Sequence, residues 1–185
     1  MNFSILFLFS FFFTTQLSAN EVLLGAGYSW TRTNISGQND LPFYKGKAIT
    51  GELEYLMPIS SKYALSLFTT FFKTNEENSA NGTVVEQLEI DYLGAGIKFS
   101  INSLFLSSSI GKLSFEDNVS GGVTRKITAD SIGYDIGIGL RFRITNLVGL
   151  TFAINGLHTS LDPSDGSGFY SKYGIWQLRG TVGLT

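Results

Sequence analysis

His158 and Ser160 are the one pair in the chain with the makings of a nucleophilic site. His158 is the only histidine, Ser160 follows at a spacing of two, and Asp162 and Asp165 come just after. In an extended segment that spacing puts imidazole and hydroxyl on the same face, where the imidazole can act as base and an acid can orient it. The structural alternative is a solvated histidine in a polar loop. A second set is purely ionic. Glu52, Glu54, Lys98, Asp135, Arg141, Arg143 and Arg179 fall on the side of their segments opposite the large apolar residues. Such charges form either a gate or binding spot in a lumen, or a salt-bridged plug. The plug is the expectation, with Glu52 pairing with Arg141 or Arg179, because buried ions need partners. The chain has no cysteine, so disulfides and Cys-ligated zinc are excluded. The Asp162 to Asp165 stretch is too sparse for a calcium loop. No metal or cofactor is expected.

The elements that must position these residues follow from a period of two. From Ile132 to Arg143, Ile132, Tyr134, Ile136, Ile138, Leu140 and Phe142 share one face, with Gly133, Asp135, Gly137, Gly139, Arg141 and Arg143 on the other. Minimal side chains and isolated ions suit the crowded interior of a narrow barrel whose outside is lipid. The same reading predicts seven further strands: 22–31, 45–56, 62–73, 85–100, 104–115, 147–158 and 170–185. In the 85–100 strand the apolar set changes from Leu88, Ile90 and Tyr92 to Leu93, Ala95, Ile97 and Phe99. That change implies a bulge near Gly94, or an acidic end that has already left the lipid. Short links (57–61, 101–103, 144–146) alternate with long polar ones (32–44, 74–84, 116–124, 159–169), as in barrels with tight periplasmic turns and long external loops. Tyr28, Trp30, Tyr55, Tyr63, Tyr134 and Trp176 fall on the outward face, where aromatics form interface girdles.

Composition agrees. Charged residues make up 15% and aromatics 14% of the chain, against roughly 25% charged in soluble domains. The run from Ile5 to Phe13 is too short to span a bilayer. It is followed by Gln16-Leu17-Ser18-Ala19, so residues 1–19 read as a signal peptide cleaved after Ala19, and residues 20–185 as one domain. A net charge of −2 without a basic tract argues against a nucleic-acid partner. A soluble barrel with the apolar set inside would show water a surface of Gly, Ser and Ala with few charges, and would dissolve poorly.

With "IDYLGAGIKF" and "SIGYDIGIGLRFR" in this pattern, the mature chain resembles the small eight-stranded outer-membrane barrels of Gram-negative bacteria, the OmpA/OmpX type. The resemblance implies an all-β, eight-stranded, antiparallel, up-and-down transmembrane β-barrel in the bacterial outer membrane. It would be monomeric and surrounded by outer-membrane lipid and lipopolysaccharide, with loops free to meet an extracellular or host ligand. The expected role is structural, adhesive or recognitive, with a narrow passive channel as the second class. His158-x-Ser160 is also similar to the His-x-Ser element of the outer-membrane lipid A deacylases, which would make His158 the base and Ser160 the nucleophile. Leu161 stands where that family has Asn, and the eighth strand has no Glu.

Overall fold

The structure, a computed structural model, describes residues 20–36, 44–80, 83–119, 125–161 and 173–185. The candidate signal segment 1–19 lies outside the described residues, as do Asp162 and Asp165. Eight strands follow one another: β1 Glu21–Ser36, β2 Tyr44–Pro58, β3 Tyr63–Ala80, β4 Thr83–Ile101, β5 Leu104–Val119, β6 Arg125–Arg143, β7 Gly149–Leu161 and β8 Tyr173–Leu184. Each pairs antiparallel with its sequence neighbours, and β1 closes on β8 from Ala26↔Leu184 to Ser36↔Gly174. The closed sheet pairs backbone groups that would otherwise face hydrocarbon.

The register makes the barrel strongly sheared. Stepping from Gly25 through its partners Glu52, Thr70, Gly94, Gly111, Gly133, Thr159 and Ile175 arrives back on β1 at Ile35. The difference between 35 and 25 is a shear of ten residues. Strands therefore tilt steeply, and residues level in height are far apart in register.

At one end the connections are tight. The Ser60 hydroxyl accepts from the backbone N–H groups of Lys62 and Tyr63, and the Thr145 hydroxyl does the same for Leu147 and Val148. Such hydroxyl caps stand in for backbone partners in short turns. Asn102 takes a left-handed φ of 52°, which Asn tolerates better than most side chains.

At the other end the strands run further than periodicity suggested. Residues 32–36, 74–80, 116–119 and 125–131, expected in loops or left unassigned, are strand. No phase switch occurs near Gly94: Leu88, Ile90, Tyr92, Gly94 and Lys98 all face inward, with Asp91, Leu93, Ala95, Ile97 and Phe99 outward. The register shift among the described pairs of β3 and β4 lies instead at Asn78/Ser79. The acidic end of β4 has simply left the lipid. There the outer face meets water, so charge moves outside and grease moves in.

The result is a barrel of two parts. Its lower part has an apolar outer belt that includes Leu24, Ile49, Leu53, Leu67, Leu93, Ile97, Ile110, Ile136, Ile138 and Ile154, each roughly half exposed or more. Above the belt the outward positions turn polar: Arg32, Lys45, Lys47, Lys73, Asp91, Lys112 and Asp130. In this upper part Ile35, Tyr44, Phe72, Leu88, Ile90, Tyr92, Leu113, Phe115, Leu157 and Ile175 pack as one buried cluster inside. The expectation of a polar lumen throughout therefore holds only for the lower part.

Candidate functional site

The lumen is filled in layers. At the mouth beside the tight turns, Arg143 pairs with Glu21, a partner that strand alternation alone did not single out. Above them Lys98 Nζ donates to Glu52 Oε1 at 2.5 Å and to Glu54 Oε2 at 2.7 Å. Arg141 grips Glu54 with both guanidinium nitrogens, at 3.1 and 2.5 Å, and lies 3.8 Å from Glu52. A forked contact of this kind is the strong form of a carboxylate pair. Lys98 also sits 4.9 Å from the ring centres of both Phe68 and Phe105.

Arg179 does not join this layer, contrary to the expected Glu52–Arg179 pair. It lies higher, where it donates to Asp135 at 2.8 Å and stacks 3.6 Å from the centre of the Phe72 ring. The shear explains the difference, because β8 rises relative to β2 and brings Arg179 level with Asp135. Asn155 donates to the same carboxylate at 3.2 Å. A cavity of about 80 Å³ lies beside the Lys98 and Arg179 layers, with Thr50, Thr70, Thr151 and Thr181 in its wall. It has room for several waters.

A third polar layer sits among the apolar cluster. Glu76 Oε1 accepts from Thr33 and from Gln177, each at 2.8 Å. Glu76 lies past Lys73, beyond the apolar belt, and burial pushes its carboxyl above the usual range against the pull of those hydrogen bonds. None of these three residues was among the sequence candidates, because each falls in a segment read as loop or among unremarkable polar positions.

His158 and Ser160 both belong to β7 and point outward. The imidazole stacks on Trp176 with ring centres 4.1 Å apart, and its Nδ1 has no hydrogen-bond partner. The Ser160 carbonyl accepts from the Ser131 hydroxyl. No hydrogen bond joins His158 to Ser160 among the described residues, and no acid orients the ring there. Among the described residues there is also no group of acids and histidine that could hold a metal.

The six aromatics predicted for the interface are all outward and exposed by 40% or more. Tyr55 and Tyr63 mark the tight-turn border, where the Tyr55 hydroxyl accepts from Asn20 and Tyr63 stacks on Phe99. Tyr28, Trp30, Tyr134 and Trp176 mark the opposite border, Tyr28 and Trp30 meeting edge to face at 5.9 Å. Two aromatic girdles around an apolar belt and a filled lumen define a small transmembrane barrel of the outer-membrane class.

Solved structures of that class share the fold. Ail, the attachment invasion locus protein of Yersinia pestis, solved in complex with the heparin analogue sucrose octasulfate, superposes with a TM-score of 0.56 at 16% identity, over 89% of this chain and 98% of Ail. Neisserial surface protein A gives a TM-score of 0.56 at 15% identity, over 90% of this chain and 97% of that one. At such identities the likeness is one of fold. No protein-family model and no curated protein sequence matches the chain.

Proposed function

We propose that this protein is a non-enzymatic, monomeric cell-surface protein that works through its extracellular rim in adhesion, recognition or support of the membrane. The barrel acts as a solid stalk. The closed lumen carries this reading: three polar layers and an apolar cluster fill the interior, leaving only a water-sized cavity. A stalk also fits the strand lengths of 12 to 19 residues, against about 9–11 needed to cross a bilayer. The surplus lifts a charged rim clear of the lipid. The fold shared with Ail makes a sulfated glycan a sensible first ligand to try beside matrix proteins and host-cell surfaces.

The test is surface expression in a non-adherent Gram-negative host. Expressing cells are expected to bind at least one immobilised ligand of such a panel more than cells carrying an empty vector. In planar bilayers the purified protein is expected to give no discrete openings. Steady openings would replace this reading with a narrow channel. Lipid A that loses acyl chains in expressing cells, but not in cells carrying Ser160→Ala, would replace it with a hydrolase.

A further inference from the structure

The cations just above the apolar belt are distributed unevenly. On β3 and β5 they are neutralised: Lys73 pairs with Glu89 and Asp91, and Lys112 with Asp130. On β1 and β2 they are gathered. Arg32 and Lys45 are direct cross-strand partners, and Lys47 stands two residues from Lys45 on the same outward face, opposite Trp30. Neither lysine has an ion-pair partner among the described residues, although Glu77 is the register partner of Lys45 on β3. Like charges placed directly opposite destabilise a sheet, so their juxtaposition asks for an anion to offset it.

The wall immediately below is recessed. Gly180 is the cross-strand partner of both Trp30 and Ile154 and faces outward, and a Cβ there would meet nothing within 4 Å. Gly156, paired with Leu178, is nearly as open, its Cβ position meeting only the Ile136 carbonyl at 4.0 Å. Leu178 in turn is the partner of Arg32. The recess thus starts in the apolar belt and ends under the cations, beside the tryptophan that marks the headgroup level.

We propose that this face of β1, β2, β7 and β8 is a docking site for one phosphorylated lipid of the outer leaflet. Its phosphate sits among Arg32, Lys45 and Lys47, and an acyl chain lies along Gly156 and Gly180. An occupant with an anionic head and an apolar tail matches both halves of the site. A soluble anion would leave the recess unfilled.

The chain's two tryptophans, Trp30 and Trp176, both lie on this outward face and report occupancy by fluorescence. The protein, folded in detergent, is titrated with bisphosphorylated lipid A, with dephosphorylated lipid A and with sucrose octasulfate. Two double variants are compared: Lys45→Gln/Lys47→Gln, and as a control Lys73→Gln/Lys112→Gln. Heat-modifiable gel mobility shows that each is folded. Removing two lysines at the headgroup surface is expected to weaken binding of bisphosphorylated lipid A about thirtyfold in the first variant, and less than threefold in the control. Dephosphorylated lipid A is expected to bind wild type about as weakly as the first variant binds the phosphorylated form. Equal losses in the two variants would overturn the site in favour of general surface charge. So would indifference to lipid phosphorylation, and saturable binding of sucrose octasulfate at least as tight would assign the cations to a soluble polyanion.

Discussion

Lys98 is the hub of the lower lumen, and its surroundings set what its loss would cost. Its side chain is 2% exposed and holds two glutamates that would otherwise face each other without it. Lys98→Met should destabilise the barrel by about 3–5 kcal/mol, the range for breaking a buried pair. Arg141→Met should cost less, because its side chain is more exposed and Glu54 keeps Lys98. Urea midpoints read from gel mobility give the ranking, and equal costs would show that Lys98 is no hub. Glu76 gives a pH signature of opposite sense to an ordinary ion pair. An acid whose folded pKa is raised binds more protons folded than unfolded. Its contribution is therefore most favourable below the ordinary value of 4.5 and declines as pH rises through the folded value. Wild type should accordingly lose thermal stability relative to Glu76→Gln between about pH 5 and pH 8. A gap between the two that stays constant over that range would mean that Glu76 is ionised throughout. His158, stacked on Trp176 with its Nδ1 unpartnered, lacks the orienting acid that base catalysis needs.

At the scale of the element, β6 and β4 show what alternation can and cannot reveal. In β6 the inward set is glycine and ions and the outward set is aliphatic, so both faces announce themselves. In β4 the outward set changes from Leu93 and Ile97 to Asp91 and Glu89 while the register stays constant. The medium outside changed, not the strand, and a period of apolar residues alone mistakes this for a bulge. The same inversion hid the upper ends of β1, β3, β5 and β6, and with them Glu76 and Thr33. All seven lumen charges and six girdle aromatics were legible because a strand's period fixes the face. Which lumen charge meets which was not, because Arg179 reaches Asp135 only through the shear of the closed barrel. Glycines also divide by face. At Gly111 a Cβ would stand 2.1 Å from the Leu93 carbonyl oxygen and 2.4 Å from Gly94 Cα, both backbone atoms that cannot step aside. Gly111→Val should therefore leave most of the chain unable to reach the heat-modifiable form on refolding into detergent. Gly180→Val should refold as wild type, and equal yields for the two would mean that the wall at Gly111 yields.

On the scale of the whole molecule, the chain is a lipid-embedded barrel continued upward as a water-facing one. The lower part has polar layers inside and grease outside, and the upper part has the reverse. This arrangement fixes orientation as well as depth, since the tight turns lie at the polar-cored end and the charged rim at the apolar-cored end. The absence of cysteine makes it directly measurable, because a single introduced thiol is the only reactive one. A membrane-impermeant maleimide should label Glu77→Cys on intact cells, whereas Ser61→Cys, in an exposed tight turn, should label only after the outer membrane is opened. Leu53→Cys is the decisive position. The Leu53 side chain is 47% exposed on the barrel's own surface, so a soluble barrel would label there freely. With lipid against that face it should stay unlabelled in intact and opened membranes alike, and react only once the barrel is denatured. Labelling of Leu53→Cys in folded, membrane-fractionated protein would place the apolar belt in water and overturn the transmembrane reading. Labelling of Ser61→Cys but not Glu77→Cys on intact cells would keep the barrel and turn it upside down.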